Sequence, residues 1–257
     1  MAYNAQLTDS AQAFHERMFP GYVSDFQRTD PEFIERFDNF AFDEVVAATP
    51  LLDDRARFLC WISTCLGCGG VDEFRGMVSA ALNVGVAPEA IQECVYQATA
   101  YLGIGRTFPF LKAKNEVFEG HGIALPLEPQ AKTTPDLASR KEGGEEAQVA
   151  CFGEQMHGYY DRGNADYPQI NHWLVTNCFG DWYARGGLTI AEREMCTFCY
   201  IAAQGGCEPQ LKAHAAGNVH AGNSREFLIQ VVSNNLPFIG YPRTLNAMAC
   251  VEEATAK

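Results

Sequence analysis

The segment from Gly206 to His214, which reads Gly-Cys-Glu-Pro-Gln-Leu-Lys-Ala-His, decides the interpretation of this chain. Two glycines, Gly205 and Gly206, end one predicted helix, and the next begins near Cys207 and carries His214 two turns later. Because residues seven apart in an α-helix lie nearly one above the other, the thiol and the imidazole are expected on one face. That face is the first candidate for chemistry.

The composition is that of an ordinary globular protein. Of the 257 residues, 47% are hydrophobic and 20% are charged, and the net charge is −13. This acidic balance does not favour nucleic acid or an anionic membrane surface, so a small-molecule substrate or a protein partner is expected. No apolar run approaches the roughly 20 residues that span a bilayer, and residues 1–10 lack the features of a secretory signal. We therefore expect a cytoplasmic protein whose ten cysteines are mostly reduced and buried.

The sequence repeats itself at an offset of 137 residues. Gly103 falls on Gly240 and Arg106 falls on Arg243, and the same shift pairs residues from one end of the chain to the other. A constant shift of this kind indicates a tandem duplication. Between the two units the chain is rich in proline and glycine, which favours a linker. The predicted organisation is a first unit at residues 1–125, a linker at 126–147 and a second unit at 148–257.

Each unit is predicted to contain helices and little else. In the first unit, apolar residues at helical spacing predict helices that end near Gly69 and Gly85, and a third that starts at Pro88. In the second unit, Thr189 and Glu192 have the spacing of a capping box. No segment shows a run of alternating apolar and polar β-formers. The predicted fold class is therefore all-α.

Four motifs of the second unit recur in one known family. They are Arg193-Glu194 in a helix after Leu188-Thr189, the block Gly206–His214, the glycine at Gly222, and the segment Ile239–Arg243. With them, the chain resembles the carboxymuconolactone decarboxylase family, which includes the alkylhydroperoxidase D-like proteins. The resemblance implies two tandem helical units of this type that form a pseudo-dimer within one chain. It also implies a homo-oligomer, with a trimer favoured.

The same resemblance implies an enzyme that moves protons on a small carboxylate, lactone or enolisable carbonyl compound and needs no cofactor. Decarboxylation, isomerisation and lactone opening would use the same groups. A second interpretation is a thiol-dependent peroxidase, although peroxidase-type members carry a Cys-x-x-Cys pair and Gln210 occupies the place of its second cysteine. A third interpretation is a non-enzymatic helical assembly module.

Three residues of the second unit are the leading catalytic candidates. His214 is expected to act as a general acid or base, since the unperturbed pKa of histidine lies near neutrality. The alternative is a core histidine that is hydrogen-bonded across the helix bundle. Cys207 is either a thiolate stabilised by a helix N-terminus or a small residue that fills the turn. Glu194 is implied by the family motif as the group that orients and tunes His214.

The first unit supplies two further candidates. It has Glu93 and Tyr101 where the second unit has Gln230 and Phe238. Each unit thus has candidate groups that the other lacks. This would arise if one composite catalytic site, built from residues of both units, replaced two equivalent sites. In the alternative interpretation, Glu93 belongs to a solvated stripe of its helix.

Two arginine-threonine pairs occur at the same place in both units. Arg106 with Thr107, and Arg243 with Thr244, could anchor an acidic substrate, because arginine presents a planar fork that suits a carboxylate. The alternative is an ion pair between the units. No metal site is predicted, since residues six apart on a helix, such as His214 and His220, lie on different faces.

Two further Cys-x-x-Cys spacings lie in the helices before the turns. Cys196 and Cys199 are interpreted as core residues, because cysteine is among the most buried residue types. Cys65 and Cys68 lie at a helix end, where a structural and a redox role both remain open.

Overall fold

The chain folds into helices throughout, in a computed structural model that describes residues 4–256. The helices of the first half are α1 (Asp9–Met18), α2 (Phe26–Thr29), α3 (Pro31–Asn39), α4 (Val45–Ala48), α5 (Asp54–Cys68), α6 (Val71–Asn83), α7 (Pro88–Leu102) and α8 (Ile104–Gly120). Those of the second half are α9 (Leu137–Phe152), α10 (Pro168–Trp173), α11 (Gly180–Trp182), α12 (Ile190–Gln204), α13 (Glu208–His220) and α14 (Arg225–Ala254).

Short segments of other helical geometry complete the chain. They are the π-helical segments Phe40–Glu44 and Leu174–Phe179 and the 3-10 segments Glu154–Met156 and Tyr159–Asp161. Within residues 4–256 the only β pairing is an isolated bridge between Ala131 and Arg185. The predicted all-α class is therefore confirmed.

The helices begin and end where the sequence indicates. The Asp53 side chain accepts a hydrogen bond from the Ala56 backbone N–H at the start of α5, and Thr189 with Glu192 forms a complete capping box on α12. Helix α5 ends at Gly69 in the left-handed conformation (φ 81°), which glycine adopts without steric cost.

The helix bounds follow the offset of 137. Helices α6 and α13 begin at Val71 and Glu208, which are 137 residues apart, and both are 13 residues long. Gly103 separates α7 from α8 with φ 75° and ψ 156°, and Gly240 breaks α14 with φ 72° and ψ 168°. Helix α14 thus consists of two helical segments that correspond to α7 and α8.

Helices α5 and α12 pack closely against each other at the centre. A Cβ atom on Gly67 would lie 2.6 Å from the carbonyl oxygen of Tyr200, so only glycine permits this approach. The Trp61 indole N–H donates to the Asn234 carbonyl at 2.8 Å, and the Tyr200 hydroxyl donates to the Cys94 carbonyl at 2.5 Å. These bonds join the two halves, whose apolar side chains share one large core, beside a smaller cluster around Cys151 and Phe179 in the second half.

The predicted linker at 126–147 requires a correction, because α9 begins inside it. The Asp136 carboxylate accepts a hydrogen bond from the Ser139 backbone N–H and caps this helix. Gly144, which the sequence analysis counted as a linker signal, lies within α9, where any Cβ atom would collide with the carbonyl oxygen of Val175. The glycine serves close packing of α9, and the extended connection is limited to residues 121–136.

All ten cysteines are free thiols. Cys196 and Cys199 are completely buried, which confirms them as core residues, whereas Cys65 is buried and Cys68 is exposed. Within residues 4–256 no helix combines the length and the apolarity needed to cross a membrane.

Candidate active site

A cavity of about 650 Å³ lies between α7 of the first half and α9, α12 and α13 of the second. We call it the His214 cavity. Its polar lining residues are Tyr101, Gln148, Tyr159, Cys178, Gln204, Cys207, Gln210 and His214. Apolar side chains such as Phe152, Phe179 and Ile201 make up much of the remaining wall. The cavity therefore combines an apolar wall with a few polar groups, as small-molecule sites usually do.

His214 and Glu194 form a hydrogen-bonded pair at the base of this cavity. The Nδ1 atom of His214 lies 2.8 Å from Oε2 of Glu194, whose side chain is completely buried. Because an ionised carboxylate only accepts hydrogen bonds, we assign the proton to Nδ1. The Asn218 side-chain amide donates to the backbone carbonyls of both residues at 2.9 and 2.8 Å, which fixes α12 against α13. Nε2 has no hydrogen-bond partner within residues 4–256, and it is the ring nitrogen left for a ligand.

A chain of hydroxyl groups continues from Glu194. The Tyr183 hydroxyl donates to Oε1 of Glu194 at 2.9 Å, and the Tyr101 hydroxyl donates to the Tyr183 oxygen at 3.0 Å. Burial, with the nearby Glu194 carboxylate, raises the pKa of Tyr183 well above its usual value. Burial also raises the pKa of Tyr101, so both phenols keep their protons at neutral pH. These hydrogen bonds orient the carboxylate towards the imidazole.

Packing holds the imidazole in one orientation. The rings of Tyr101 and Phe152 meet the His214 ring edge-on, with centroids 5.3 and 5.5 Å away. On the next turn of α13, a Cβ atom on Gly217 would lie only 2.5 Å from Oε2 of Glu194. The absence of a side chain at this position gives the carboxylate its space.

Cys207 lies at the start of α13, in the N-cap position, and is partly exposed to the His214 cavity. Its Sγ accepts a hydrogen bond from the Gln204 side-chain amide at 3.1 Å. The structure therefore brings Cys207, His214 and Tyr101 to one cavity, with Glu194 directly behind His214. Cys178 also lines this cavity, and burial raises its pKa to about 12, so it remains a thiol.

Glu93 does not reach the His214 cavity. Its carboxylate pairs with the Arg185 guanidinium at 2.8 and 2.9 Å and with Arg193 at 3.1 Å, and its side chain is completely buried. The interpretation as a solvated stripe is wrong, because the residue has no exposed surface. The expectation that Glu93 belongs to the catalytic site also needs correction, because both carboxylate oxygens bind arginines of the second half.

The two arginine-threonine pairs lie elsewhere. Arg106 and Arg243 line a separate cavity of about 320 Å³ on the other side of Gln204, whose side-chain oxygen accepts a hydrogen bond from Arg106 at 2.8 Å. The hydroxyls of Thr107 and Thr244 donate to backbone carbonyls one turn earlier in the chain. The prediction that these four residues hold the substrate beside His214 is therefore not supported, and neither arginine forms an ion pair within residues 4–256.

Sequence reasoning missed Gln148 and Tyr183. Gln148 lines the His214 cavity and is 1% exposed, yet neither its side-chain oxygen nor its nitrogen has a hydrogen-bond partner within the described residues. A buried amide without a partner is costly, so this group is suited to bind a polar ligand. The repeat contained a signal, because at the offset of 137 Gln148 falls on Ala11 and Tyr183 on Val46. Within residues 4–256 no group of three or more His, Cys, Asp or Glu side chains is placed to hold a metal ion.

Comparison with known proteins identifies the family. The sequence model of the carboxymuconolactone decarboxylase family matches residues 168–253. A curated relative, 4-carboxymuconolactone decarboxylase of Acinetobacter baylyi, is 31% identical over 102 residues, which cover 40% of this chain and 73% of the relative. The chain therefore belongs to the carboxymuconolactone decarboxylase family. The matched region contains α12 and α13, and hence Glu194, Cys207 and His214.

Proposed function

We propose that this protein is a cofactor-independent lyase that decarboxylates a small unsaturated lactone or a related enolisable carboxylate. The observation that carries the proposal is the buried Glu194–His214 pair, which faces a largely apolar cavity with Nε2 unoccupied. The name of the Acinetobacter relative supports the same reaction class.

The proposed chemistry is a proton transfer coupled to carbon dioxide release. When the bond between the carboxylate and the adjacent carbon breaks, its electron pair remains on the substrate and is delocalised into the conjugated lactone carbonyl. Protonated His214 then donates the Nε2 proton to carbon, and Glu194 stabilises the imidazolium before transfer and keeps Nδ1 protonated afterwards. A proton from solvent restores the imidazolium for the next turnover.

The environment of the His214 cavity supports this role. No lysine or arginine of residues 4–256 lines it, so a substrate carboxylate would be poorly stabilised there. The transition state, in which the negative charge spreads over the substrate, would be destabilised less. Gln148 can donate to a carboxylate or lactone oxygen, and Gln204 and Gln210 supply further amides at the wall. Tyr101 brings a group from the first half to the wall, which supports a site built by both halves.

We also infer that the two halves arose by tandem duplication and form a pseudo-dimer. Support comes from the helix bounds that recur at 137 residues and from the large core that both halves share. A homo-oligomer, with a trimer favoured, is proposed on the family resemblance. It is supported by exposed aromatic side chains on the corresponding helices α3 and α10, such as Phe33 and Trp173, which are 61% and 59% exposed.

The test is turnover of 4-carboxymuconolactone, the compound in the relative's name, by the wild type and by the Cys207→Ser variant. Release of carbon dioxide measures the turnover. The lyase proposal expects release by both proteins at comparable rates. Hydroperoxide reduction that disappears in Cys207→Ser, with no release from the lactone, would instead support the thiol-dependent peroxidase, since Cys207 and His214 line the same cavity.

Gln148→Ala is expected to weaken substrate binding more than it slows chemistry. Within residues 4–256 the Gln148 amide has no partner, so the variant loses only its bond to the ligand, and KM should rise roughly tenfold. We expect kcat to change by no more than about threefold, because the residue contacts neither Glu194 nor the proton on Nε2. Steady-state kinetics measures both values. Gln210→Ala, a more exposed amide of the same cavity, is the control, and an equal effect in both variants would contradict a specific role for Gln148.

A further inference from the structure

A further cavity, of about 420 Å³, lies mainly in the first half, at the place that corresponds to the His214 cavity. At the offset of 137 its lining residues pair with those of the His214 cavity, among them His15 with Phe152, Phe42 with Phe179 and Phe238 with Tyr101. The catalytic pair has no counterpart there, because Met77 occupies the position of His214 and Arg57 that of Glu194. This cavity, the Asp38 cavity, therefore lacks the Glu194–His214 pair, although its lining residues correspond to those of the His214 cavity.

Asp38 is the unusual polar group of this cavity. Its side chain lines the cavity and is 6% exposed, and within residues 4–256 its carboxylate has neither a hydrogen bond nor an ion pair. At the corresponding position of the second half the residue is Val175. Burial raises the pKa of Asp38 to about 6, so above that pH the cavity contains a buried negative charge without a partner. Such a charge is costly unless a ligand neutralises it.

The rest of the wall is largely aromatic, and no lysine or arginine of residues 4–256 lines it. Phe19, Tyr22 and Phe37 belong to a group of seven phenylalanine and tyrosine side chains around Asp38, and the faces of such rings attract cations. The other titratable groups that line the cavity are His15, Glu73, Cys65, Cys68 and Tyr22. Burial lowers the pKa of His15, which is therefore neutral at pH 7.

The buried Arg57 guanidinium does not neutralise Asp38. It donates hydrogen bonds to the Thr49 hydroxyl and to the Asn234 side-chain oxygen, each at 2.7 Å, and it does not line the cavity. An unpaired buried carboxylate, a surrounding of aromatic rings and the lack of a lysine or arginine on the wall favour one class of ligand. We propose that the Asp38 cavity binds an organic ammonium ion that carries an aromatic or branched apolar group.

The proposal is tested by calorimetric titration of the full chain at pH 8 with three probes that share a phenyl ring and differ in charge: benzyltrimethylammonium, benzyl alcohol and phenylacetate. The ammonium ion is expected to bind saturably and at least about tenfold more tightly than the neutral and the anionic probe. Asp38→Asn should weaken its binding by about tenfold or more. In His214→Gln the affinity should be unchanged, which would assign the probe to the Asp38 cavity and not to the His214 cavity.

Equal binding of the ammonium ion by wild type and folded Asp38→Asn would overturn the proposal, as would equal affinity for the three probes or no saturable binding. Thermal unfolding establishes whether Asp38→Asn is folded. If it is not, Phe37→Ala tests the aromatic wall instead, and an unchanged affinity in that variant would equally overturn the proposal. The outcome is independent of turnover in the His214 cavity, because no probe and no measurement here involves decarboxylation.

Discussion

Replacement of His214 by glutamine is expected to lower kcat for decarboxylation by about 10²- to 10⁴-fold, the range that a positioned general acid contributes. Glutamine keeps a polar group of similar reach but cannot deliver a proton. The fold should survive, because Nδ1 makes a single side-chain bond and the neighbouring Asn218 still ties α12 to α13. Carbon dioxide release and a urea unfolding curve measure the two effects.

Glu194→Gln is the matched control for this variant. It removes the charge that stabilises the imidazolium but leaves His214 in place, so kcat should fall by less than in His214→Gln. Carbon dioxide release from both variants, measured at one pH, compares the loss of the proton donor with the loss of its partner. A His214→Gln protein with normal kcat would contradict the proton-transfer proposal, whatever the second variant does.

The sequence was sufficient to predict the helices and several residues of the His214 cavity, because both depend on local pattern. Helix starts such as Thr189 and stops such as Gly69 follow from backbone chemistry within a few residues. The i, i+7 relation of Cys207 and His214 follows from helix geometry alone, and both side chains line one cavity.

The errors have a common physical cause, since they concern distances between elements that are far apart in sequence. Helical spacing places Glu93 on a stripe but does not reveal that Arg185 and Arg193 will surround it. The sequence alone does not show whether Gly144 makes a linker flexible or allows a neighbouring backbone to pack closely against its helix. Gln148 shows its importance only through the lack of a partner, which requires the whole packed structure.

Glu93→Gln is expected to reduce the free energy of unfolding by about 3–5 kcal/mol, the usual effect of removing one partner of a buried ion pair. The variant leaves the guanidinium of Arg193 completely buried without its counter-ion, while Arg185 retains some access to solvent. Because Glu93 lies on α7 and both arginines belong to the second half, the loss should weaken the contact between the halves. Urea unfolding followed by circular dichroism measures the change.

Comparison with Glu116→Gln isolates the contribution of burial. Glu116 pairs with Arg75 at 2.8 Å, but its side chain is 45% exposed, and its loss should cost at most about 1 kcal/mol. If Glu93 instead takes part in catalysis, as the composite-site hypothesis expected, Glu93→Gln would retain its stability and lose kcat. The ion-pair assignment requires the opposite: a large loss of stability, and nearly normal kcat per folded molecule at low temperature, because the carboxylate lies outside the His214 cavity. Tyr101 would then be the group through which the first half contributes to the site.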